Sequence, residues 1–452
     1  MTGSLTVPNP PVTAAPPGRG GDLPRLLPAS GAAPVGLRQH LDAYGALPTA
    51  RSPGRLLREV AAAGLTGRGG AGFPTARKLA AAAEARPAPL VVGNGAEGEP
   101  ASSKDSSLLW ISPHLVLDGL QLAAEVIGSP AAVLYVRRNQ RLHAGLAGAI
   151  AERAAAGIGA ARVDLVQAPD RFLAGEESAV VSRLTGRPAL PAYRPVRGLP
   201  RLAPGRAALV QNVETLAHLA LIARYGAAWF RNAGTAAEPG TMLVTLRLAD
   251  GRTSVAEVPL GTGIAGLLGL EPAAGHLAGA SVPSAAGPVQ AVLAGGYHGA
   301  WLPAAEAAHL LMAGAALRPL GASAGAGVLA ALPADRCGLA ETARVARYLA
   351  LESAGQCGPC FNGLPRIAAA LEHLAGPRPD HRARADLKRW AGQVTGRGAC
   401  HHPDGSVRFI RSALRVFAGE AGLHEQGRCC GTDPRPFLPV PAARPASDAD
   451  WS

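Results

Sequence analysis

Glu352-Ser-Ala-Gly-Gln-Cys-Gly-Pro-Cys360 closes on a Cys-x-x-Cys pair, and a third cysteine, Cys400, stands forty positions beyond it. That spacing suits thiolate ligation of an iron–sulfur cluster or of zinc. Earlier in the chain lies a second decisive stretch, Gly64-Leu-Thr-Gly-Arg-Gly-Gly-Ala-Gly-Phe-Pro-Thr75. Four glycines within Gly67–Gly72 let backbone N–H groups approach an anion without Cβ obstruction. The helix expected after Thr75 presents its positive end to a phosphate, and Lys78 adds a charge in the first turn. A nucleotide or flavin site together with a metal cluster implies electron transfer rather than hydrolysis.

Composition narrows the function classes. A length of 452 residues implies two to four domains, and 48% apolar content implies globular cores. The formal charge of +12 comes almost wholly from arginine, with three lysines: Lys78, Lys104 and Lys388. No basic stripe interleaved with aromatics is present, which argues against nucleic acid. An acidic protein partner such as a small ferredoxin suits the charge better, through steering. Met1–Gly21 has no apolar centre, so no secretory signal is expected, and no apolar run of about 18 residues predicts a membrane span. The expected compartment is the cytoplasm. There the six cysteines (Cys337, Cys357, Cys360, Cys400, Cys429 and Cys430) are metal ligands more often than disulfides.

Along the chain, residues 1–32 are Pro/Gly-rich and read as a disordered tail. From Val35 the pattern turns α/β. Helices are expected over Leu56–Gly64, Thr75–Ala85, His114–Ile127 and Arg141–Ala155, with strands at Ala88–Val92, Ala131–Val136 and Val163–Val166. That alternation predicts a parallel sheet with helices on its faces. The first domain spans 33–235. A boundary near Gly234–Gly240 precedes strands at Thr241–Arg247, Ser254–Val258 and Val289–Gly295, a small mixed module over 236–320. A helical region over 335–430 carries the cysteines, and 431–452 reads as a tail.

Three polar blocks join the glycine turn. Asn94-Gly-Ala-Glu-Gly-Glu-Pro100, followed by Lys104-Asp105, lies just past a predicted strand, where α/β proteins place ligands. Phe172-Leu-Ala-Gly-Glu-Glu-Ser178 and Gln211-Asn-Val-Glu-Thr215 sit at predicted helix starts. Taken singly, each has an ordinary reading as a solvated loop or a helix cap.

Together the blocks, in this order, resemble the NADH- and FMN-binding flavoprotein subunit of respiratory complex I, a family that includes the diaphorase subunits of NAD-linked hydrogenases and formate dehydrogenases. The resemblance runs from about Leu37 to Ala418. It implies a Rossmann-like FMN/NAD domain, a small ubiquitin-like (β-grasp) ligand-binding module and a C-terminal helical iron–sulfur bundle. It implies FMN contacts at Gly67, Arg68, Gly69, Lys78, Asn94, Glu97, Glu176, Asn212 and Thr215, and nicotinamide-nucleotide contacts at Phe73, Glu99 and Glu177. It implies a [4Fe–4S] cluster on Cys357, Cys360 and Cys400, hydride transfer from NAD(P)H to flavin, and electron release to a ferredoxin or a thioredoxin-like iron–sulfur subunit. The protein then supplies orientation and electrostatics, with no side chain acting as acid or base.

The chain departs from the family's pattern at several positions. Ala354 stands where the family has a fourth cysteine, so His401, His402, Cys429 and Cys430 are candidate fourth ligands; nitrogen ligation raises a cluster's potential. Ala96 replaces an aspartate, Phe172 a tyrosine and Gln211 an asparagine. The aromatics expected after the lysine fall on Leu79 and Ala81. Tyr193 is a candidate stacking ring, and Arg194 or Arg197 a candidate contact for a phosphorylated nucleotide. These departures imply a stand-alone or differently partnered relative. They also leave two alternatives, a non-enzymatic docking scaffold with a decayed nucleotide site, and a structural zinc protein using Cys357, Cys360, Cys400 and a histidine.

Overall fold

The computed structural model describes residues 12–13, 25–28, 33–48, 53–193, 198–203, 205–271, 281–377, 379, 382–442 and 448–452. Strand β1 (Val12–Thr13) leads into the first domain. That domain holds helices α1 (Leu37–Tyr44), α2 (Pro53–Ala63) and α3 (Thr75–Glu84), then β2 (Leu90–Gly95), α4 (Lys104–Ile111), α5 (Pro113–Ile127), β3 (Ala131–Arg137), α6 (Gln140–Ala155), β4 (Arg162–Ala168), α7 (Glu177–Leu184), β5 (Arg201–Ala203), β6 (Arg206–Asn212) and α8 (Val213–Arg231). Its sheet has the order β4-β3-β2-β6-β5, parallel except for the β5 edge. Pro113 opens α5, and Gly128, in the left-handed region, closes it. Nearly every residue of α5 is buried, because α8 crosses it closely: a Cβ on Gly119 would lie 1.8 Å from the Leu216 carbonyl oxygen.

The chain runs β2, β3, β4 to one side and returns through β6 to the other flank of β2. The order therefore reverses between β2 and β6, where α/β sheets bind ligands beyond their strand ends. Asn94 and Asn212 are direct register partners at that point. The sequence pattern missed β6, because its short apolar run is masked by the preceding Pro/Arg-rich passage.

The second unit comprises β7 (Thr241–Arg247), β8 (Thr253–Pro259), α9 (Ile264–Leu268), β9 (Val289–Ala294), β10 (Ala300–Pro303), α10 (Ala304–Ala307), α11 (Gly314–Leu317) and β11 (Val328–Pro333). Its order β8-β7-β11-β9-β10, with β11 parallel to β7 and the neighbouring pairs antiparallel, is a β-grasp arrangement. The expected end at 320 is too early, since β11 is the central strand that joins the two hairpins. Helices α12 (Gly338–Leu351), α13 (Leu364–Leu374), α14 (Ala383–Val394), α15 (His402–Val416) and α16 (Ala418–Glu425) then pack as the helical part around Leu349, Leu371, Leu387 and Phe409.

Both expected tails contain packed segments. Val12–Thr13 pair in parallel with β8, and Leu26 and Leu27 are buried; the remainder of 1–32 lies outside the described residues apart from Arg25 and Pro28. At the other end Phe437, Leu438 and Trp451 are buried, and Arg171 stacks over the Trp451 ring at 4.9 Å. Proline-rich composition hid these few large apolar anchors, each worth about 1.5–3 kcal/mol when fully covered.

Glu257 on β8 ties down the first of these segments. Its carboxylate accepts from the Leu26 and Leu27 N–H groups at 2.9 and 3.2 Å and from the Thr241 hydroxyl at 2.6 Å. Burial nonetheless pushes its carboxyl from an ordinary 4.5 up to about 7. The folded chain thus binds this proton more tightly than the unfolded chain does, so stability falls as pH rises through that window. Glu257→Gln is expected to flatten the fall. Urea midpoints compared across that pH range test it, and an unchanged slope refutes it.

Candidate functional site

The glycine turn runs from α2 into α3 and lies open: Gly69 to Pro74 are exposed. Gly70, at φ +100°, adopts a conformation that side-chain-bearing residues avoid, and its missing Cβ would lie 3.5 Å from the Gly325 carbonyl of the β-grasp unit. The Arg68 N–H donates to the Thr215 hydroxyl at 2.9 Å, and its buried guanidinium donates to Thr66 Oγ1 and the Thr241 carbonyl. The Arg68 side chain therefore braces the turn from behind, and what it leaves facing outward is backbone. Lys78 lies between the Glu177 carboxylate at 2.6 Å and the Val210 carbonyl at 2.7 Å.

The other blocks converge here. Asn94 donates through Nδ2 to the Gly175 carbonyl at 2.8 Å, and Asn212 through Nδ2 to Asp105 at 2.8 Å. Asn212 also caps α8, as Glu176 caps α7. Glu97 accepts from the Ser102 and Ser106 hydroxyls and the Asp105 and Ser106 N–H groups, holding the start of α4. Glu99 accepts from the Tyr297 and Ala101 N–H groups at 2.7 and 3.1 Å, and burial pushes its carboxyl up to about 7. These two carboxylates are committed to backbone and hydroxyl donors, so they shape the wall of the site.

Phe73, 52% exposed, presents a bare ring at the mouth, and Tyr193 is 69% exposed. Leu79, by contrast, is fully buried in the domain core, so among the two positions that lack an aromatic only exposed Ala81 faces outward. Arg194 and Arg197 lie outside the described residues.

Beneath the cradle is a buried charge cluster that the sequence named only in part. Lys104 Nζ lies 2.6 Å from Asp105 and 2.8 Å from Glu214, all three almost fully enclosed. The attraction of the two carboxylates outweighs desolvation and raises the Lys104 pKa. The scarcity of lysine in this chain was the signal that pointed at Lys104; Glu214 stood inside the Gln211–Thr215 block, where nothing local showed that it pairs with Lys104.

The turn 171–177 is the shared wall between cradle and cysteines. On one side Gly175 receives the Asn94 hydrogen bond. On the other, the Phe172 N–H donates to Glu352 at 2.8 Å and the Arg171 guanidinium pairs with the same buried carboxylate at 3.1 Å. Glu352 opens the cysteine motif. Cys360 is buried within a widened π turn, Pro359–Gly363, and Cys357 and Cys400 are half-buried. Burial raises the Cys360 thiol, and the neighbouring Cys357 and Cys400 raise it further. Burial likewise pushes Cys400 up to about 11, with added contributions from Glu176 and Cys357. Cys400 therefore lies within electrostatic reach of Glu176, the residue that caps α7.

The candidate fourth ligands separate. His402 is buried with Nδ1 3.0 Å from His298 Nε2 and Nε2 2.9 Å from the Leu349 carbonyl, so both ring nitrogens are engaged. Cys429 and Cys430 lie instead beside Cys337, at the start of α12, while Cys357 lies beyond its end. Those 14 residues make α12 about 20 Å long. Cys429 and Cys430 are therefore set aside as cluster ligands. His401, exposed and next to Cys400, is the one that stays at the site.

Comparison with known proteins agrees with this geometry. The Nuo51 FMN-binding domain matches residues 60–221, and the NADH-ubiquinone oxidoreductase-F iron–sulfur binding region matches residues 340–424. The F subunit of NADH-quinone oxidoreductase in Mycobacterium bovis is 31% identical over 420 residues, covering 86% of this chain and 88% of that protein. The chain belongs to the family of NADH-quinone oxidoreductase F subunits. The Rhizobium meliloti F subunit of the same enzyme, numbered 2, is 29% identical over 393 residues, 84% of this chain and 90% of that one. In three dimensions the chain is similar to NAD+-reducing [NiFe]-hydrogenase in its H2-reduced state, with a TM-score of 0.74 and 29% identity over 86% of this chain. It spans 64% of that hydrogenase chain, under two thirds of its length.

This member of the family is an oxidoreductase of the NADH dehydrogenase type with FMN and a [4Fe–4S] cluster as cofactors. Its residues fit both groups. Thr75 Oγ1 and Gln211 Nε2, at the edge of the cradle, are buried polar atoms without a partner, and Gly72 leaves open space where a Cβ would stand. Cys357, Cys360 and Cys400 supply the soft sulfur donors that iron–sulfur clusters take. Membership of the family sets aside the scaffold and zinc-protein alternatives. Among the described residues no helix is long and apolar enough to cross a membrane.

Proposed function

We propose that this chain takes electrons from a nicotinamide dinucleotide at the Gly67–Gly72 cradle and delivers them through the cysteine trio to a one-electron protein partner. The observation that carries the proposal is the 171–177 turn, which contacts Asn94 on the cradle side and Glu352 at the start of the cysteine motif. FMN held in this cradle would supply hydride-accepting and single-electron-releasing chemistry. The chain's own residues bind and orient. The backbone N–H groups of Gly69–Gly72 and the first turn of α3 hold the flavin phosphate, with Lys78 as the neighbouring positive charge, while the Gly67 and Arg68 N–H groups fix the turn by donating to the Phe73 carbonyl and the Thr215 hydroxyl. Asn94, Asn212 and Thr215, each fixed by a hydrogen bond, line the ring site. Phe73 offers the face on which the nicotinamide nucleotide stacks, and the Lys78–Glu177 pair bounds its binding path. His401 completes the ligand set of Cys357, Cys360 and Cys400.

The partner is a ferredoxin or a thioredoxin-like iron–sulfur subunit, and the working compartment is the cytoplasm. Two features support that reading: the net charge of +12, which steers an acidic partner, and Phe361, 72% exposed beside Cys360.

NADH added to anaerobic holoprotein is expected to bleach the flavin absorbance. Phe73→Ala is expected to raise KM for NADH by roughly tenfold, since stacking a base on an aromatic ring is worth about 1–3 kcal/mol, while flavin content holds. An unbleached flavin sinks the proposal.

A further inference from the structure

Cys337, Cys429 and Cys430 are not used by the redox path, yet they are brought together with a histidine. Cys337 caps the start of α12, His424 lies in the last turn of α16, and Cys429-Cys430 follow that helix. The ligand atoms of Cys337, His424 and Cys429 lie within 4.8 Å of one another, and so do those of Cys337, Glu420 and Cys430. Cys337 Sγ is 3.4 Å from His424 Nε2. Tetrahedral zinc with bonds of about 2.0–2.3 Å sets its ligands roughly 3.5–3.8 Å apart, so these groups stand close to a ligand shell already.

The histidine is held in the tautomer that a metal needs. Its Nδ1 lies 3.0 Å from the Gly376 carbonyl, which can only accept, so Nδ1 carries the proton and the Nε2 lone pair points at Cys337. Glu420 accepts from the Leu339 N–H at 3.0 Å and from the Cys337 thiol at 3.5 Å, so it holds that sulfur in place beside the histidine. A thiolate and imidazole donor set of this kind selects Zn2+ over oxygen-seeking cations.

We propose that Cys337, His424, Cys429 and Cys430 form a structural Zn2+ site, separate from the iron–sulfur cluster and about one helix length away from it. Binding releases the thiol protons to solvent and involves no electron transfer. The ion staples the end of α16 to the start of α12. It thereby fixes the following segment, which lies along this corner through the Thr432 and Asp433 N–H groups on the Asp335 carbonyl and the Phe437 and Leu438 N–H groups on Glu341.

The test is elemental analysis of full-length protein purified anaerobically with flavin and cluster bound. About one zinc per chain is expected beside the iron. Cys429→Ser/Cys430→Ser, altered at exposed and half-exposed positions, is expected to lose that zinc while iron and flavin contents hold, and so is His424→Ala. Both variants are expected to melt at a lower temperature than the parent, and zinc removal by a chelator is expected to lower the parent's melting temperature to match. A parent that takes up no zinc under reducing conditions overturns the proposal. So does zinc content that survives in both variants, or peptide mapping of the anaerobic protein that finds Cys337 in a disulfide with Cys429 or Cys430.

Discussion

Cys360→Ala stops delivery of electrons to a one-electron protein acceptor and leaves NADH bleaching of the flavin intact. Cys360 is the most enclosed of the three clustered thiols, at 3% exposure, and sits inside the π turn that aims it at Cys357 and Cys400. In the proposed ligand set, losing Cys360 leaves two thiolates and the exposed His401, and the lost ligand is the most enclosed one, so the cluster is expected to be lost. The fall in acceptor reduction is expected to exceed the roughly 10–100-fold that follows loss of a mere outer-shell partner, and iron content drops with it. The cradle is built from other elements and meets the cysteine motif through the 171–177 turn, which this substitution leaves alone. Iron analysis, acceptor reduction and anaerobic flavin bleaching separate the two functions. A variant that retains iron and still reduces its protein acceptor refutes the assignment.

Lys104→Met is expected to cost about 3–5 kcal/mol of stability, the typical loss when one partner of a buried ion cluster is removed. Asp105 and Glu214 would be left facing each other without the ammonium that lies within 2.8 Å of both. Flavin affinity is expected to fall as well, because Asp105 also holds the Asn212 side chain at the cradle. Adding Glu214→Gln to the variant is expected to restore part of the stability by removing one of the two uncompensated charges. Chemical denaturation of the three proteins and flavin titration of each decide it. Parent-like stability in Lys104→Met contradicts the account.

The blocks that carry chemistry were legible because each depends on residue type at short spacing: glycines for backbone approach to an anion, Cys-x-x-Cys for thiolates, and Asn or Glu ahead of a helix. Helices α3, α5 and α6 and strands β3 and β7 were legible from periodicity within a residue or two. Strands β6 and β11 were not. Both are short apolar runs whose role comes from a partner distant in sequence, β2 for one and β7 with β9 for the other. Composition likewise hid the burial of Leu26, Phe437 and Trp451, since a proline-rich context says nothing about a single anchor.

By itself, the order of the motifs determined the family and its three-part architecture, and it supplied the proposal for which groups meet the cofactors, since those depend on local chemistry. Only the tertiary structure decided how those groups are used. It turned the Arg68 guanidinium away to brace a loop, engaged both nitrogens of His402, buried Leu79 in the core, and split six cysteines into two sets of three at opposite ends of α12. The physical reason is that a ligand set or a buried ion pair is a matter of distances of a few ångströms between residues tens to hundreds of positions apart, and only the packing of helices and sheets determines those distances.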